Sequence, residues 1–344
     1  MFDPEEMPGR LERFIGSALP DAKDVRVDAY EPVLGGFTRI TAQFRLTVDG
    51  QERWLIARGD PPPERQVANT DRGVEWRLMS ELNRLGTVQL PTVLYFDDTG
   101  DDLGTRAIVM ERVSGKTLLR ALTAAEPPER TQLTAGLVEL AVGIHAADTS
   151  MTDLERVLDW DAYIDGCIAR WREVEAAHLE HDPFIRYLAT WLDENRPPPA
   201  PIGLVHGDLQ STNVMVRLDG QQVAIDWELA HMGDPREDLG WCLWNEALQP
   251  PGLIAGNEAE FCRMYAERSG LGEDIVNPRT VAYFSVLSAI DACRLALPTV
   301  AAFARGHIDN LTAPYILGYI ATFHQQFLEV TTALDAAPRR EVSR

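Results

Sequence analysis

Three side chains that could handle a phosphate group stand close together in one stretch of this chain. Asp208 is followed five residues later by Asn213, and thirteen residues further on by Asp226. Phosphoryl transfer needs a carboxylate that orients and deprotonates a hydroxyl, together with oxygen ligands that hold Mg²⁺ on the phosphates. The residue types and their spacing therefore indicate a metal-phosphate site for a nucleotide.

A β-hairpin is expected to bring Asn213 and Asp226 together. Asp219-Gly220 is a strong signal for a two-residue turn, and it stands between two short runs of apolar residues. If Asp219 and Gly220 form the turn, Leu218 lies opposite Gln221 and Asn213 lies directly opposite Asp226. Directly opposed residues have Cβ atoms about 4.5–5.5 Å apart.

The elements that must position these residues change character along the chain. A short helix over 11–18 is followed by strand-like alternation over 25–30, 38–48 and 53–58. A helix over 71–85 comes next, and two more strands are expected over 92–96 and 106–111. Helical patterns dominate afterwards, over 130–147, 160–177, 183–195, 235–247, 257–269, 278–304 and 311–334. This order predicts an α+β chain with a small antiparallel lobe over 1–110, a connection over 111–116 and a mainly helical lobe over 117–344, which is the outline of a two-lobed kinase.

The composition and charge of the chain limit the kinds of molecule that it can bind and the compartment in which it is expected. The chain has 344 residues and a formal net charge of −21, which argues against nucleic acid or an anionic membrane as a partner. Four Cys without metal-ligand spacing indicate buried free thiols in a reducing compartment. The acidic start and the lack of an 18-residue apolar run predict a cytoplasmic protein with no membrane span. We expect a monomer or a homodimer.

The segment from His206-Gly207-Asp208 to Asn213, with Asp226-Trp227-Glu228, resembles the catalytic and metal-binding loops of the aminoglycoside phosphotransferase and choline kinase-like family. That family has a protein-kinase-like fold. His-Gly-Asp and Asp-Trp-Glu, in place of the His-Arg-Asp and Asp-Phe-Gly of protein kinases, favour its small-molecule branch. The resemblance covers roughly residues 25–300, and it implies ATP, Mg²⁺ and a small-molecule hydroxyl acceptor.

The same resemblance assigns a role to each matching residue. It makes Asp208 the catalytic base and Asn213 and Asp226 the Mg²⁺ ligands. It makes His206 a structural anchor of the catalytic loop. It also makes Asp238, on the helix that follows Asp234-Pro235, a brace that holds this loop by hydrogen bonds.

The nucleotide-binding residues are expected in the first third of the chain. Gly35, Gly36 and Thr38 stand at a turn whose backbone could fold over the phosphates. The fold's phosphate-binding Lys is missing, since the only two Lys are Lys23 and Lys116.

Arg58, at a strand end, is the natural substitute for that Lys, and Glu75 on the next helix could orient it. The Arg-then-Pro-Pro pattern is similar to that of kinase domains fused to acyl-CoA dehydrogenases. Met110, Glu111 and Val113 fit the connection that meets the adenine ring.

The acceptor and two other functions stay open at this stage. An aminoglycoside would need Glu228, Glu237, Glu246 and Asp291 to converge, whereas the missing Lys favours hydroxyacyl-CoA or another metabolite. The chain could also be a catalytically silent kinase-like binding module or a metal-dependent phosphohydrolase. Several aromatic residues, Trp241, Trp244, Tyr283 and Phe284, either line an acceptor pocket or belong to the core.

Overall fold

The structure, a computed structural model, describes residues 4–33, 39–61, 70–178, 183–248, 258–289, 306 and 312–336. The chain forms two compact units. Unit 1 comprises Met1–Glu155 and Ser211–His231, and unit 2 comprises Arg156–Gln210 and Met232–Arg344.

A five-stranded antiparallel sheet is the centre of unit 1. Its strands lie in the order β1-β2-β3-β5-β4, and they are β1 (Val25–Val33), β2 (Ile40–Val48), β3 (Gln51–Gly59), β4 (Val93–Asp97) and β5 (Ala107–Glu111). Asp49 and Gly50 join β2 to β3 with φ angles of 49° and 85°, the left-handed values that a tight hairpin turn requires.

The two faces of β3 carry different kinds of residue because side chains alternate along a strand. Leu55 and Ala57 point into an apolar core shared with helix α1 (Met7–Ala18), whereas Arg58 points to the opposite face. Helix α2 (Arg72–Leu85) begins after Asp71, whose side chain accepts a hydrogen bond from the Gly73 N–H at 2.8 Å.

The hairpin of unit 1 is present, but its predicted register is wrong by one residue. Strands β8 (Val214–Val216) and β9 (Gln222–Ala224) are joined by a three-residue loop, 218–220, which Gly220 closes with a φ of 88°. The Arg217 N–H donates to the Gln221 carbonyl at 2.9 Å, so Asn213 lies opposite Ile225 rather than Asp226. A type I turn followed by a glycine in the left-handed conformation also suits the twist of two paired strands. The same Asp-Gly pair can therefore form this three-residue loop instead of a two-residue turn.

Three further elements of unit 1 contact this hairpin. Strand β6 (Lys116–Thr117) pairs with β8, and helices α3 (Leu118–Ala124) and α4 (Pro127–His145) contact β8 and β9 respectively. Neither β6 nor α3 was predicted, because elements this short carry little periodicity.

Unit 2 is mainly helical. Its helices are α5 (Trp160–His178), α6 (Pro183–Glu194), α7 (Arg236–Leu248), α8 (Glu258–Ser269), α9 (Pro278–Ser288) and α10 (Thr312–Ala336). The short strands β7 (Gly203–Val205) and β10 (His231–Gly233) pair with each other, and β10 was not predicted. Helix α9 ends at Ser288, whereas the helix predicted over 278–304 continues into residues outside the described ranges.

Helices α7 and α9 approach closely at Gly240. A Cβ atom at this position would lie 2.4 Å from the Ser285 backbone nitrogen. Cys167, Cys242 and Cys262 are buried free thiols, as predicted, and the fourth cysteine, Cys293, lies outside the described residues. Across the described residues, no helix is long and apolar enough to cross a membrane.

Candidate active site

Arg58 of β3 connects two carboxylates in unit 1. Its Nη2 donates to Asp226 Oδ1 at 2.6 Å, and its Nη1 lies 3.8 Å from Glu75 Oε1 on α2. The ion pair expected between Arg58 and Glu75 is therefore present, and the Arg side chain also reaches the Asp of the Asp-Trp-Glu segment.

Burial and neighbouring charges shift the pKa values of Arg58 and Glu75 in opposite directions. Burial would lower the pKa of Arg58, but the Asp226 and Glu75 carboxylates outweigh it and the pKa lies above its ordinary value. Burial raises the pKa of Glu75, and the guanidinium groups of Arg72 and Arg58 oppose that rise. Arg58 thus stays cationic whatever the local protonation of its partners.

Two further arginines extend this pair into a cluster. Arg39 and Arg72 have side chains 1% and 0% exposed, and both donate to Asp60 Oδ1, at 2.7 and 2.9 Å. Arg39 also pairs with Glu228, and Arg72 donates to Glu75 Oε2 at 2.6 Å. We call the group the arginine cluster: Arg39, Arg58, Arg72, Asp60, Glu75, Asp226 and Glu228.

Sequence reasoning did not predict the ion pairs that Arg39, Arg72, Asp60 and Glu228 form here. The i,i+3 spacing of Arg72 and Glu75 could have indicated their pair. No comparable signal joins Arg39 to Glu228, because these residues are far apart in the sequence.

Asp226 has an unusual backbone conformation. Its φ is 71°, in the left-handed region that a non-glycine residue enters at a cost of about 1–2 kcal/mol. Such strained positions cluster at functional sites, where the surrounding structure holds them. The regular alternation of β9 does not extend to Asp226, so its side chain direction is set by this turn and by Arg58.

Asn213 and Asp226 are a chemically suitable donor pair for Mg²⁺. The Asn213 carbonyl accepts from the Ile225 N–H at 2.9 Å, which places Asn213 beside the residue that precedes Asp226. The Asp226 side chain is 28% exposed and offers a hard oxygen donor. Mg²⁺ binds through one or two such groups when phosphates supply the remaining ligands. Among the described residues, no group of three or more His, Cys, Asp or Glu could hold a metal.

The residues predicted to meet adenine lie at and after the end of β5. Met110 is buried in the sheet, opposite Ile56 and Val93. The Glu111 N–H donates to the Thr92 carbonyl at 2.8 Å, so this donor is already hydrogen-bonded within the protein.

The Glu111 carboxylate accepts from Arg217 at 2.7 Å. Val113 follows β5 and is half-buried. The three phosphate-turn residues, Gly35, Gly36 and Thr38, lie outside the described residues.

In unit 2, helix α7 holds the loop that contains the predicted base. Asp238 Oδ2 accepts from the His206 N–H at 2.7 Å, and its Oδ1 accepts from the Gly207 N–H at 2.9 Å. His206, which directly follows β7, is fully buried. The hydrogen bonds predicted for Asp238 are therefore present in the structure.

Asp208 receives two hydrogen bonds from side chains of the same unit. Trp241 Nε1 donates to its Oδ1 at 2.6 Å, and Gln210 Nε2 donates to the same oxygen at 2.7 Å. Trp244, Tyr283 and Phe284 instead belong to the apolar core, so of the four aromatic residues considered only Trp241 reaches Asp208.

Comparison with known proteins assigns the chain to a family. A sequence profile described as "Phosphotransferase enzyme family", APH, matches residues 31–271. The mouse (Mus musculus) protein acyl-CoA dehydrogenase family member 10 is 29% identical over 174 residues, which are 49% of this chain and 16% of that protein. The chain thus spans a small part of that relative's length.

Two solved structures resemble this chain along almost its whole length. A protein provisionally named an aminoglycoside phosphotransferase, from Ralstonia eutropha JMP134, has a TM-score of 0.73 at 20% identity, covering 97% of this chain and 99% of that one. A thermostable mutant of aminoglycoside phosphotransferase APH(4)-Ia, in complex with ADP and hygromycin B, has a TM-score of 0.56 at 16% identity, covering 95% and 99%.

These likenesses confirm the predicted α+β, protein-kinase-like fold, with its antiparallel sheet lobe and its helical lobe. The match of the family profile covers more than half of the sequence. The protein therefore belongs to the phosphotransferase enzyme family.

Proposed function

We propose that this protein transfers the γ-phosphate of ATP to a hydroxyl group of a small molecule. The observation that carries the proposal is the position of Arg58, whose guanidinium connects Asp226 to Glu75. A fixed cation beside a predicted metal ligand is the arrangement that phosphate groups require, and the family supports a small-molecule kinase.

Each predicted residue has a task in this proposal. Asp208 orients the acceptor hydroxyl and takes its proton. His206 and Asp238 hold the loop that carries Asp208. Asn213 and Asp226 would hold Mg²⁺, which when bound would neutralise charge on the phosphates.

Arg58 and the turn at Gly35, Gly36 and Thr38 would contact the phosphates, while Met110, Glu111 and Val113 would surround the adenine. In this scheme residues 1–110 and the connection at 111–116 serve the nucleotide, and residues 117–344 serve the base and the acceptor.

Arginine can replace the missing Lys for a physical reason. Its guanidinium keeps its charge and offers several N–H donors in one plane, so it can hold Glu75 with one end and bind phosphate oxygens with the other. In the structure the second end is occupied by Asp226. A phosphate group would therefore share Arg58 with Asp226.

The burial of three carboxylates favours a metabolite over a polycation as the acceptor. Glu228 pairs with Arg39, Glu237 accepts from the Tyr163 hydroxyl at 2.7 Å, and Glu246 is 1% exposed. An aminoglycoside would need such groups at a surface. We therefore place hydroxyacyl-CoA or another hydroxyl-bearing metabolite ahead of an aminoglycoside.

Calorimetric titration with Mg-ATP and Mg-GTP tests the nucleotide part of this proposal. We expect saturable, Mg²⁺-dependent binding that Asp226→Ala removes and Asp208→Asn largely keeps. Binding of neither nucleotide would leave the chain a catalytically silent module. Phosphate release without ATP, from a phosphomonoester, would instead indicate a phosphohydrolase.

A radiolabel transfer assay tests the chemistry. Kanamycin and a 3-hydroxyacyl-CoA represent the two acceptor classes, and γ-labelled ATP is the donor. We expect transfer to the hydroxyacyl-CoA class and a severe loss of transfer in Asp208→Asn. Near wild-type turnover in Asp208→Asn would refute the base assignment.

A further inference from the structure

Oδ1 of the Asp208 carboxylate accepts two hydrogen bonds from side chains. Trp241 Nε1 and Gln210 Nε2 both donate to Oδ1, at 2.6 and 2.7 Å. Both donors are neutral, so they fix the direction of the carboxylate without adding a positive charge beside it. Trp241 comes from a different element and Gln210 from the same loop, so the side chain is held from two sides.

The element that supplies Trp241 also holds the backbone of the loop. Asp238 and Trp241 stand three residues apart on α7 and thus on the same face of the helix. Asp238 accepts from the N–H groups of His206 and Gly207, while Trp241 reaches the side chain of Asp208. One helix face therefore sets both the path of the loop and the direction of its carboxylate.

Helix α7 is itself firmly anchored. At its start Arg236 and Asp234 form an ion pair in which both side chains are fully buried, with Nη2 and Oδ2 at 2.7 Å. The Arg236 guanidinium also lies over the Phe284 ring and donates to the carbonyls of Pro198 and Ile275. Trp241 is thus presented by a helix with little freedom to shift.

We propose that Trp241 is a positioning residue for Asp208, an inference that rests on the proposed kinase function. The two hydrogen bonds to Oδ1 fix the plane of the carboxylate and thereby the direction in which it meets the acceptor O–H. In the transfer step the acceptor oxygen bonds to the γ-phosphorus and its proton passes to Asp208. The bond from that phosphorus to the bridging oxygen breaks, and its electron pair leaves with ADP.

Trp241→Phe and Gln210→Met test this role because each removes a donor and keeps much of the bulk. We expect Trp241→Phe to lower kcat about tenfold to a hundredfold, part of the about 10²–10⁴-fold that a positioned base supplies. The KM for ATP and the calorimetric affinity for Mg-ATP should stay unchanged. Turnover is measured with the acceptor from the transfer assay, or with water as acceptor.

Trp191→Phe is the matched control. Trp191 Nε1 donates to the Asp335 carboxylate at 3.2 Å in the same unit, so this variant loses the same kind of hydrogen bond away from Asp208. We expect kcat of this variant to equal that of the wild type. An equal loss in both Trp variants would mean that any loosened tryptophan impairs the unit, and it would overturn the positioning role.

A spectroscopic readout tests the contact without any activity. The indole ¹H–¹⁵N resonance of Trp241, assigned by its loss in Trp241→Phe, should lie downfield and move upfield in Asp208→Asn. If Asp208→Asn abolishes transfer but Trp241→Phe keeps wild-type kcat, the positioning role fails and the proposed function stands. If the wild type transfers phosphate to no acceptor, including water, the proposed function fails, and the inference fails with it even where the resonance shows the contact.

Discussion

The two carboxylates at the centre of the proposed chemistry are held in opposite ways. In unit 1, Asp226 lies against the cation of Arg58, in a partly buried cluster of three arginines and four carboxylates. In unit 2, Asp208 is held by the neutral indole of Trp241 and the neutral amide of Gln210. An ion pair holds the first carboxylate, whereas hydrogen bonds from neutral groups orient the second.

The difference suits the different tasks proposed for the two groups. A predicted metal ligand can be paired with a cation, because Mg²⁺ and phosphates would bring compensating charges when they bind. A base paired as closely with a guanidinium would lose much of its tendency to take a proton. The indole and amide donors orient Asp208, and neither brings a cation to Oδ1.

Replacing Arg58 should produce the largest effect on stability. Arg58→Met leaves Glu75 and Asp226 without one of their cations, and breaking a buried pair typically costs about 3–5 kcal/mol. Because Arg72 remains beside Glu75, we expect the loss of unfolding free energy to lie near the lower end of this range. Urea denaturation measures the free energy of unfolding, and titration measures the expected loss of Mg-ATP affinity.

Two controls sharpen the Arg58 prediction. Arg58→Lys retains the charge and should recover part of the stability and of the nucleotide affinity. Arg45→Met breaks an exposed pair with Asp28 and should change the free energy of unfolding little, because water screens exposed ion pairs. A loss as small in Arg58→Met as in Arg45→Met would contradict a charge-held site.

Gly240→Ala should disturb the neutral site through its supporting helix. The added Cβ would lie 2.4 Å from the Ser285 nitrogen, so α7 must shift away from α9 and take Asp238 and Trp241 with it. We expect a loss of about 1–3 kcal/mol in unfolding free energy. The kcat should fall while the Mg-ATP affinity changes little.

Gly166→Ala on α5 is the control for Gly240, because a Cβ there meets nothing within 4 Å. It should stabilise the protein by about 0.5–1 kcal/mol, since alanine favours the helix. If Gly240→Ala left both kcat and stability unchanged, α7 would not be the rigid support that the Trp241 inference requires.

The smallest effect is expected at the start of α2, the helix that carries Glu75. Asp71→Ala removes the N-cap contact with Gly73 and should cost about 1 kcal/mol, whereas Asp71→Asn keeps the cap. The Gly73 N–H holds the pKa of Asp71 below its ordinary value of 3.8.

The pH dependence of this cap follows from the lowered pKa. Its contribution is fully present above the ordinary value and is lost as pH falls through the lowered one. In urea titrations from pH 7 downward, the difference between wild type and Asp71→Ala should shrink only below about pH 4. A difference that narrowed already near pH 6 would contradict this assignment.

Several features of this protein follow from the sequence alone, because they depend on neighbouring residues. Strands β2 and β3 and helix α2 are predicted by the period of their apolar residues, and the Asp49-Gly50 turn by its residue types. The segment around Asp208, Asn213 and Asp226 indicates the family, and the family profile agrees. The bond between Asp238 and the His206 loop was also expected from that resemblance.

Other features were decided only by the tertiary structure, because they depend on distances between elements that local patterns do not contain. Asp219-Gly220 is compatible with a two- or a three-residue loop, and the folded strands pair in the register of the three-residue loop. The pairing of Arg39 with Glu228 and the hydrogen bond from Trp241 to Asp208 join residues far apart in the chain. A sequence specifies which side chains can bind phosphate or a proton, whereas the packed helices and strands decide which partner holds each one.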